Sequence, residues 1–265
     1  MKRQLGITAI VLAGGFSKKF FEAFKQGYKA LLHYGGKAMW EIADQAAAGA
    51  GIYDRIIVGE WIQKTEAAIR NDGWRMMRPG YGSLYRNLRE MLLRADSEYV
   101  VILTADIYRI TGEILDRFLE LCYQTGDVGL ACPVIPVELC ELEHPGAKRT
   151  SVKLVEGKFT LGNVFFANRE VLLANLWKIG IFLWARKKPL VLALILGPKF
   201  VWGYLHESIS LTDLEAKAQK MLGVKVHAIV CKQPGDSALG DDVDKPEQAD
   251  NLDEAKALSD SIPVV

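Results

Sequence analysis

Hydrophobic and polar residues are arranged along the first half of the chain in a pattern that predicts strands and helices in turn. Short apolar runs typical of buried strands occupy residues 7–13, 53–60 and 98–106. Amphipathic stretches of helical length occupy residues 37–50, 83–95 and 111–125. Nearly continuous apolar strands separated by helices are typical of a parallel sheet that helices cover on both faces. The pattern therefore predicts an α/β fold in three layers.

The second half of the chain has a more mixed pattern. It predicts strands over residues 127–136 and 224–231, a hairpin over 151–168 that turns near Glu156-Gly157, and helices over 169–179 and 210–222. Ser210 precedes the last of these helices and can cap it.

Residues 179–205 are the most hydrophobic part of the chain. A basic, proline-containing break at 185–189 splits this run, and neither side reaches the roughly 20 residues that a membrane span needs. We expect buried or edge-covering helices here. The alternative is a patch that contacts a membrane surface or a partner, because Trp177, Trp184 and Trp202 flank the basic cluster.

Composition narrows the class of protein. The chain has 265 residues, a formal net charge of +1, 50% hydrophobic and 25% charged residues, which is ordinary for a globular protein and argues against nucleic acid as a partner. The four cysteines form no C-x-x-C pair. Gly14-Gly15 interrupts the first apolar run too early for a signal peptide. A reducing cytoplasm with free thiols is the expected setting.

The first strand ends at Gly14-Gly15, and Lys18 and Lys19 follow. Glycines without Cβ atoms permit positive φ angles, and successive N–H groups beside a helix start form a nest for anions such as phosphate. A tight turn followed by a solvated basic helix start would produce the same residues. Asp106 ends the third strand, and in parallel sheets ligands bind at the carboxyl ends of strands.

The segment from Leu12 to Phe20 resembles the L-A-G-G-x-S/G-x-R-M/F signature of nucleotidyltransferases, and the chain is similar to the MobA-like NTP transferase family. Further segments match that family in order: 29–32 with 36–39, 79–83 with 87–88, 104–106, and 242–247. Residues 144–150 and 159–163 are similar to a branch of the family other than its namesake. The resemblance covers residues 7–168 and 241–256.

The resemblance implies a three-layer α/β/α Rossmann-like nucleotidyltransferase fold with a mostly parallel sheet and a small acceptor-side subdomain. Within a single domain, 1–265, it implies a nucleotide-binding half, 1–126, and an acceptor-side half, 127–240, with a hydrophobic helical insertion at 170–222. Residues 241–265 would return to the metal site and form a C-terminal helix. The implied reaction moves a nucleoside monophosphate from GTP or CTP to a small phosphorylated acceptor, with Mg²⁺ and release of pyrophosphate.

The resemblance also implies the site residues. The catalytic residues would be Lys19, Lys29 and Asp106. The nucleotide would contact Leu12, Ala13, Gly14, Gly15, Ser17, Lys29, Gly80, Gly82, Ser83 and Asn87. The acceptor would contact Lys148, Arg149 and Asn163. Mg²⁺ would be held by Asp106 and Asp244.

Each assignment has a structural alternative. Asp106 can simply end a strand, and Asp244 can cap a helix before Pro246. Lys148-Arg149 can be a basic hairpin edge, and Gly162-Asn163 predicts a bulge. The four histidines, without partnered spacing, are expected to be structural or surface residues.

Departures from the family pattern and the Trp-rich hydrophobic segment motivate two competing functions. Lys19 stands at the family's usual arginine, and Tyr108 at a usual proline. A degenerate nucleotide-binding regulatory or scaffold protein is therefore one alternative. The other is a peripheral membrane enzyme that docks through 179–205 and takes an amphiphilic acceptor.

Overall fold

The computed structural model describes residues 6–64, 75–146, 149–185, 189–243 and 246. Its strands are β1 Ile7–Leu12, β2 His33–Tyr34, β3 Lys37–Ala38, β4 Asp54–Gly59, β5 Arg75–Pro79, β6 Tyr99–Thr104, β7 Leu130–Pro136, β8 Val152–Leu154, β9 Gly157–Leu161, β10 Val164–Asn168 and β11 Val226–Val230. Its α-helices are α1 Lys18–Phe24, α2 Met39–Gly49, α3 Leu84–Arg94, α4 Gly112–Gln124, α5 Val137–Glu143, α6 Arg169–Ala185, α7 Pro189–Leu196, α8 Pro198–Leu205 and α9 Leu211–Leu222.

One large sheet organises the described residues. Its strand order is β5-β4-β1-β6-β10-β7-β9-β8, and β11 pairs with β7. The pairs β1–β4, β1–β6, β4–β5 and β7–β11 are parallel, whereas β9 and β10 run antiparallel to their neighbours. The expected α/β fold with a mostly parallel sheet is confirmed.

Side chains of β1 alternate between two cores, one on each face of the sheet. Ala9 and Val11 belong to the core that α2 and α4 cover. Ile10 belongs to the core that α3 and α6 cover. Because successive residues of a strand point to opposite faces, the unbroken apolar run of β1 is what a strand between two helical layers requires.

The expected bulge at Gly162-Asn163 separates β9 from β10. Val134 of β7 pairs with Leu161, whereas Ala131 pairs with Phe166, so residues 162–165 on one strand lie opposite only residues 132–133 on the other. A Cβ on Gly162 would lie 2.6 Å from Pro133 Cγ and 2.8 Å from the carbonyl oxygen of Leu239, which leaves room for glycine alone.

The hydrophobic segment forms the end of α6, then α7 and α8, and α6 runs past its expected end at residue 179. Among the described residues, no helix combines the length and hydrophobicity that a membrane crossing demands. Several large apolar side chains of α6–α8 are exposed: Trp177, Ile181, Leu194, Trp202 and Leu205. The side chain of Trp184 and the basic residues 186–188 lie outside the described part of the chain.

Candidate active site

Val58 at the end of β4 and Trp61 just after it hold the glycine-rich turn after β1 by hydrogen bonds. The Ala13 N–H donates to the Val58 carbonyl at 2.8 Å, and the indole Nε1 of Trp61 donates to the Ala13 carbonyl at 2.8 Å. A Cβ on Gly59 would lie 2.7 Å from the Ala13 oxygen and 2.6 Å from Trp61 Nε1. Only glycine at position 59 therefore allows this close packing of the turn.

The N–H groups of the turn face different acceptors. Gly15 has a φ of +95° and donates its N–H to Glu60 Oε2 at 2.9 Å. The Ser17 N–H donates to the Gly27 carbonyl at 2.7 Å. The amides of Ala13, Gly15 and Ser17 therefore all bond to other parts of the protein, and those of Ala13 and Ser17 hold the turn in place.

The second expected nucleotide loop, residues 80–83, faces the first. Gly82 has a φ of +76°, and the Ser83 hydroxyl accepts from the Arg86 N–H at 3.2 Å and so caps α3. The Tyr81 N–H donates to Asn87 Oδ1 at 2.6 Å, and Asn87 Nδ2 lies 3.4 Å from Glu60 Oε1. The two loops therefore meet at the Glu60 carboxylate.

Lys29 and Asp106 form the polar centre of the strand-end region. Leu12 pairs with Thr104, so the chain leaves β1 and β6 at the same edge of the sheet. Lys29, in the 3₁₀ turn Lys29–Leu31, places Nζ 2.6 Å from Asp106 Oδ2 and 2.8 Å from the Val243 carbonyl. Both side chains retain partial exposure, 23% for Lys29 and 19% for Asp106, so a ligand can reach them. Lys19 is exposed on α1, just beyond the glycine turn.

Asp241 joins two arginines next to this centre. Its carboxylate accepts from Arg109 Nη1 at 2.7 Å and from Arg149 Nη2 at 2.7 Å, and Arg149 Nη1 donates to the Gly240 carbonyl at 2.7 Å. His144 Nε2 lies 3.6 Å from the same carboxylate. Partial burial lowers the pKa of His144, and the nearby arginines add to this effect against the opposing effect of Asp241.

The structure describes Asn163, one of the residues expected to bind the acceptor, but neither Lys148 nor Asp244. Asn163 donates its N–H to the Leu239 carbonyl at 2.7 Å and accepts from the Thr104 N–H at 3.3 Å, so it lies beside the end of β6. The backbone of Asp242 forms an isolated antiparallel β-bridge with Ile107, which directly follows Asp106. Lys148 and Asp244 lie outside the described residues. Within the described ranges, no three His, Cys, Asp or Glu side chains gather as a preformed metal cage.

Glu60, Arg109 and Asp241 are the functional candidates that sequence reasoning missed. Glu60 directly follows β4 at the same sheet edge as Gly14 and Asp106, and this position is the signal that could have identified it. Arg109 and Asp241 are 132 residues apart and gave no comparable local signal.

Comparisons with known proteins give the family and the fold. A family model described as the MobA-like NTP transferase domain matches residues 9–156. A solved structure described as a hypothetical transferase from Thermus thermophilus is 32% identical over 91% of this chain and 98% of that chain, with a TM-score of 0.77.

Two more distant structures resemble this chain in fold alone. A nucleotidyl transferase from Methanothermobacter thermautotrophicus is 16% identical over 93% of this chain and 94% of that chain, with a TM-score of 0.55. A CMP:2-keto-3-deoxy-manno-octonic acid synthetase complexed with CTP is 13% identical over 91% and 94%, with a TM-score of 0.53. No curated protein matches in sequence.

Proposed function

We propose that this chain, which belongs to the MobA-like NTP transferase family and is a nucleotidyltransferase, transfers a nucleoside monophosphate from a nucleoside triphosphate to a small phosphorylated acceptor. The observation that carries the proposal is the 2.6 Å contact between Lys29 Nζ and Asp106 Oδ2 at the strand ends beside the glycine turn.

The reaction joins an acceptor phosphate oxygen to the α-phosphorus and breaks the bond from that phosphorus to the oxygen that bridges to the β-phosphate. Negative charge grows on the α-phosphoryl oxygens and on the departing pyrophosphate, so fixed positive charge lowers the barrier. Lys29 would contact the α-phosphate. Its bonds to Asp106 and to the Val243 carbonyl hold its ammonium group at the strand ends, where the α-phosphate would lie. Exposed Lys19 would offset charge on the pyrophosphate.

Asp106 would hold Mg²⁺, together with Asp244. The donor set fits this hard cation, because Asp106 offers a partly exposed carboxylate at a strand end, and Mg²⁺ is commonly bound by one or two carboxylates plus substrate phosphates and water. When bound, the cation would supply countercharge to the phosphates. Lys29 would then exchange Asp106 for phosphate oxygen as its partner.

The acceptor side would lie around Arg149 and Asn163, with Lys148 beside them in sequence. Arg109 and Arg149 share one carboxylate, that of Asp241, so positive charge exceeds negative charge among these three side chains. Guanidinium groups bind phosphate oxygens in a fixed fork geometry. A phosphorylated acceptor is the class that this charge favours.

Pyrophosphate release from each nucleoside triphosphate, with phosphorylated acceptors and with or without Mg²⁺, tests the proposal. Lys29→Met and Asp106→Asn should each lower turnover by about 100-fold or more, because each removes charge from the reacting centre. Lys37→Met is the matched control, since Lys37 is exposed and donates to Gln45. Pyrophosphate release that neither variant changes would contradict the proposed reaction.

A peripheral membrane enzyme is the second candidate, and the exposed apolar side chains of Trp177, Trp202 and Leu205 favour it. Such side chains on helices can enter a lipid interface. Vesicles with anionic lipids should then sediment together with the protein at low salt, and Trp202→Ser should weaken the association. Vesicles that leave the protein in the supernatant would remove this candidate.

A further inference from the structure

A short main-chain segment, residues 239–243, passes the strand ends and supplies one of the bonds that hold Lys29. At its start, the Leu239 carbonyl accepts from the Asn163 N–H at 2.7 Å. At its end, Val243 is fully buried, and its carbonyl accepts from Lys29 Nζ at 2.8 Å. The position of the Lys29 ammonium group therefore depends on where this segment lies.

Two arginines hold the middle of the segment. The Asp241 carboxylate accepts from Arg109 Nη1 and from Arg149 Nη2, each at 2.7 Å, and the Gly240 carbonyl accepts from Arg149 Nη1 at 2.7 Å. Only 8% of the Asp241 side chain and 10% of the Arg149 side chain are exposed, so water and salt screen these bonds little. Hydrogen bonds between charged groups are about twice as strong as those between neutral groups. The arginines are therefore a strong anchor for the segment.

The Tyr108 ring packs against both ends of the link from Asp241 to Lys29. The Arg109 guanidinium lies 4.8 Å from the centroid of this ring, and the ring shares an apolar cluster with Val243. Asp241 and Val243 are two residues apart, and neighbouring Cα atoms are fixed at about 3.8 Å from each other. A shift of Asp241 therefore moves the carbonyl that holds Lys29.

We propose that Asp241 is a positioning residue for the transfer reaction: its pairing with Arg109 and Arg149 keeps the Val243 carbonyl where it holds the Lys29 ammonium group beside the α-phosphate. This inference rests on the proposed function, which assigns Lys29 to that phosphate. In the proposed reaction Lys29 exchanges Asp106 for phosphate oxygen, so the bond to Val243 is the one that stays. A displacement of about 1 Å at a reacting group can lower the rate by about 100-fold.

The first experiment is a double-mutant cycle of Asp241→Asn and Lys29→Met, measured as pyrophosphate release at a saturating concentration of the acceptor. Asp241→Asn alone should lower kcat by about 10-fold or more. In the Lys29→Met protein the same change should lower kcat by less than about 2-fold, because no ammonium group is left to position. A merely structural role would lower kcat by the same factor in both proteins, and that result would overturn the proposal.

A milder variant and a matched control accompany the cycle. Arg109→Met leaves Arg149 bonded to Asp241, so this protein should fold, and its smaller loss of kcat should again disappear in the Lys29→Met protein. An equal loss in both backgrounds would overturn the proposal here too. The control is Asp127→Asn, which breaks an exposed ion pair with Lys225 before the start of β7, at the opposite edge of the sheet. It should change kcat by less than about 2-fold.

The second experiment needs no turnover, so it separates this inference from the proposed function. An amine-acylating reagent followed by mass spectrometry should label Lys29 faster in Asp241→Asn than in the unchanged protein. Lys178 is the matched control, since Asn175 Oδ1 and the Leu222 carbonyl each hold its Nζ at 2.9 Å, and its labelling rate should not change. An unchanged rate at Lys29, or an equal rise at Lys178, would overturn the positioning role.

The proposed function can fail separately. If Lys29 alone is labelled faster in Asp241→Asn, but no triphosphate releases pyrophosphate with any phosphorylated acceptor, the link from Asp241 to Lys29 stands and the transfer reaction is wrong. If pyrophosphate is released but the cycle shows equal losses in both backgrounds, the reaction stands and the positioning role of Asp241 is wrong.

Discussion

Lys29 and Asp106 are 77 residues apart in the chain and meet at 2.6 Å between Nζ and Oδ2. The strand β6 brings Asp106 to the sheet edge, and the turn that follows α1 brings Lys29 over it. Lys29 can bind phosphate and Asp106 can bind a cation. The two groups that the proposed reaction needs are therefore in contact before substrate binds. The proposed reaction separates them.

The shift in thermal stability on ligand binding should reveal that Lys29 and Asp106 exchange each other for phosphate and Mg²⁺. A triphosphate at 100 times its Kd adds about 2.7 kcal/mol to the free energy of unfolding if it binds only the native state. We expect Mg²⁺ to enlarge the shift in the wild-type protein, and Asp106→Asn to lose the part that depends on Mg²⁺ while it keeps a smaller shift from nucleotide alone. Scanning calorimetry with and without the cation measures this, and an undiminished Mg²⁺ effect in the variant would exclude Asp106 as a ligand.

Asp241→Asn should lower the free energy of unfolding by about 3 kcal/mol, because it leaves two largely buried arginines without a countercharge. The control is Glu207→Gln, which breaks the ion pair of Lys153 and Glu207, also 2.7 Å long but with side chains 62% and 53% exposed. That change should cost less than about 1 kcal/mol. Urea unfolding followed by circular dichroism compares the two, and equal costs would mean that Asp241 is not a structural clamp.

His144 should make stability depend on pH. Because its pKa is lowered in the folded chain, the unfolded chain binds a proton first as pH falls through about 6.5, and the free energy of unfolding decreases there. The groups that face it are Asp241, Arg109, Arg149 and Glu143.

His144→Gln should remove this contribution, and the slope of stability between about pH 6.5 and 5 should become shallower. NMR titration of the imidazole in the folded protein should give a midpoint below its usual value. A midpoint above it, or an unchanged slope in the variant, would contradict the assigned environment.

Gly59→Ala should destabilise the protein by about 2 kcal/mol and weaken triphosphate binding, because the new methyl group has no room under the glycine turn. Gly6→Ala is the control, since its Cβ would make an ordinary 3.7 Å contact with Ser97 Cβ. Chemical denaturation and nucleotide titration test the pair. If Gly59→Ala behaves like the control, the turn does not depend on this close packing.

The sequence predicted the features that depend on local pattern. The strand ends at Gly14 and Asp106 followed from apolar periodicity, and the bulge at Gly162-Asn163 followed from local glycine chemistry. Ser210 caps α9 as expected, with its hydroxyl accepting from the Asp213 N–H at 3.1 Å.

Features that depend on contacts between distant segments of the chain could not be predicted from the sequence. An acidic residue after a strand is common, and the position of Glu60 acquires meaning only where Gly80 approaches from another loop. Asp241 was likewise uninformative until Arg109 and Arg149 surrounded it. The expected roles of Lys148 and Asp244 stay predictions, as both residues lie outside the described part of the chain.

The bond from Lys29 Nζ to the Val243 carbonyl spans 214 residues. Chains are synthesised from the amino terminus, and early segments can begin to fold while later ones are still on the ribosome. β1, β4 and β6 with their helices can therefore assemble long before residues 241–243 emerge. The parallel strands nearest the amino terminus should therefore pair first, and the bond that fixes the Lys29 ammonium group beside Asp106 should form last.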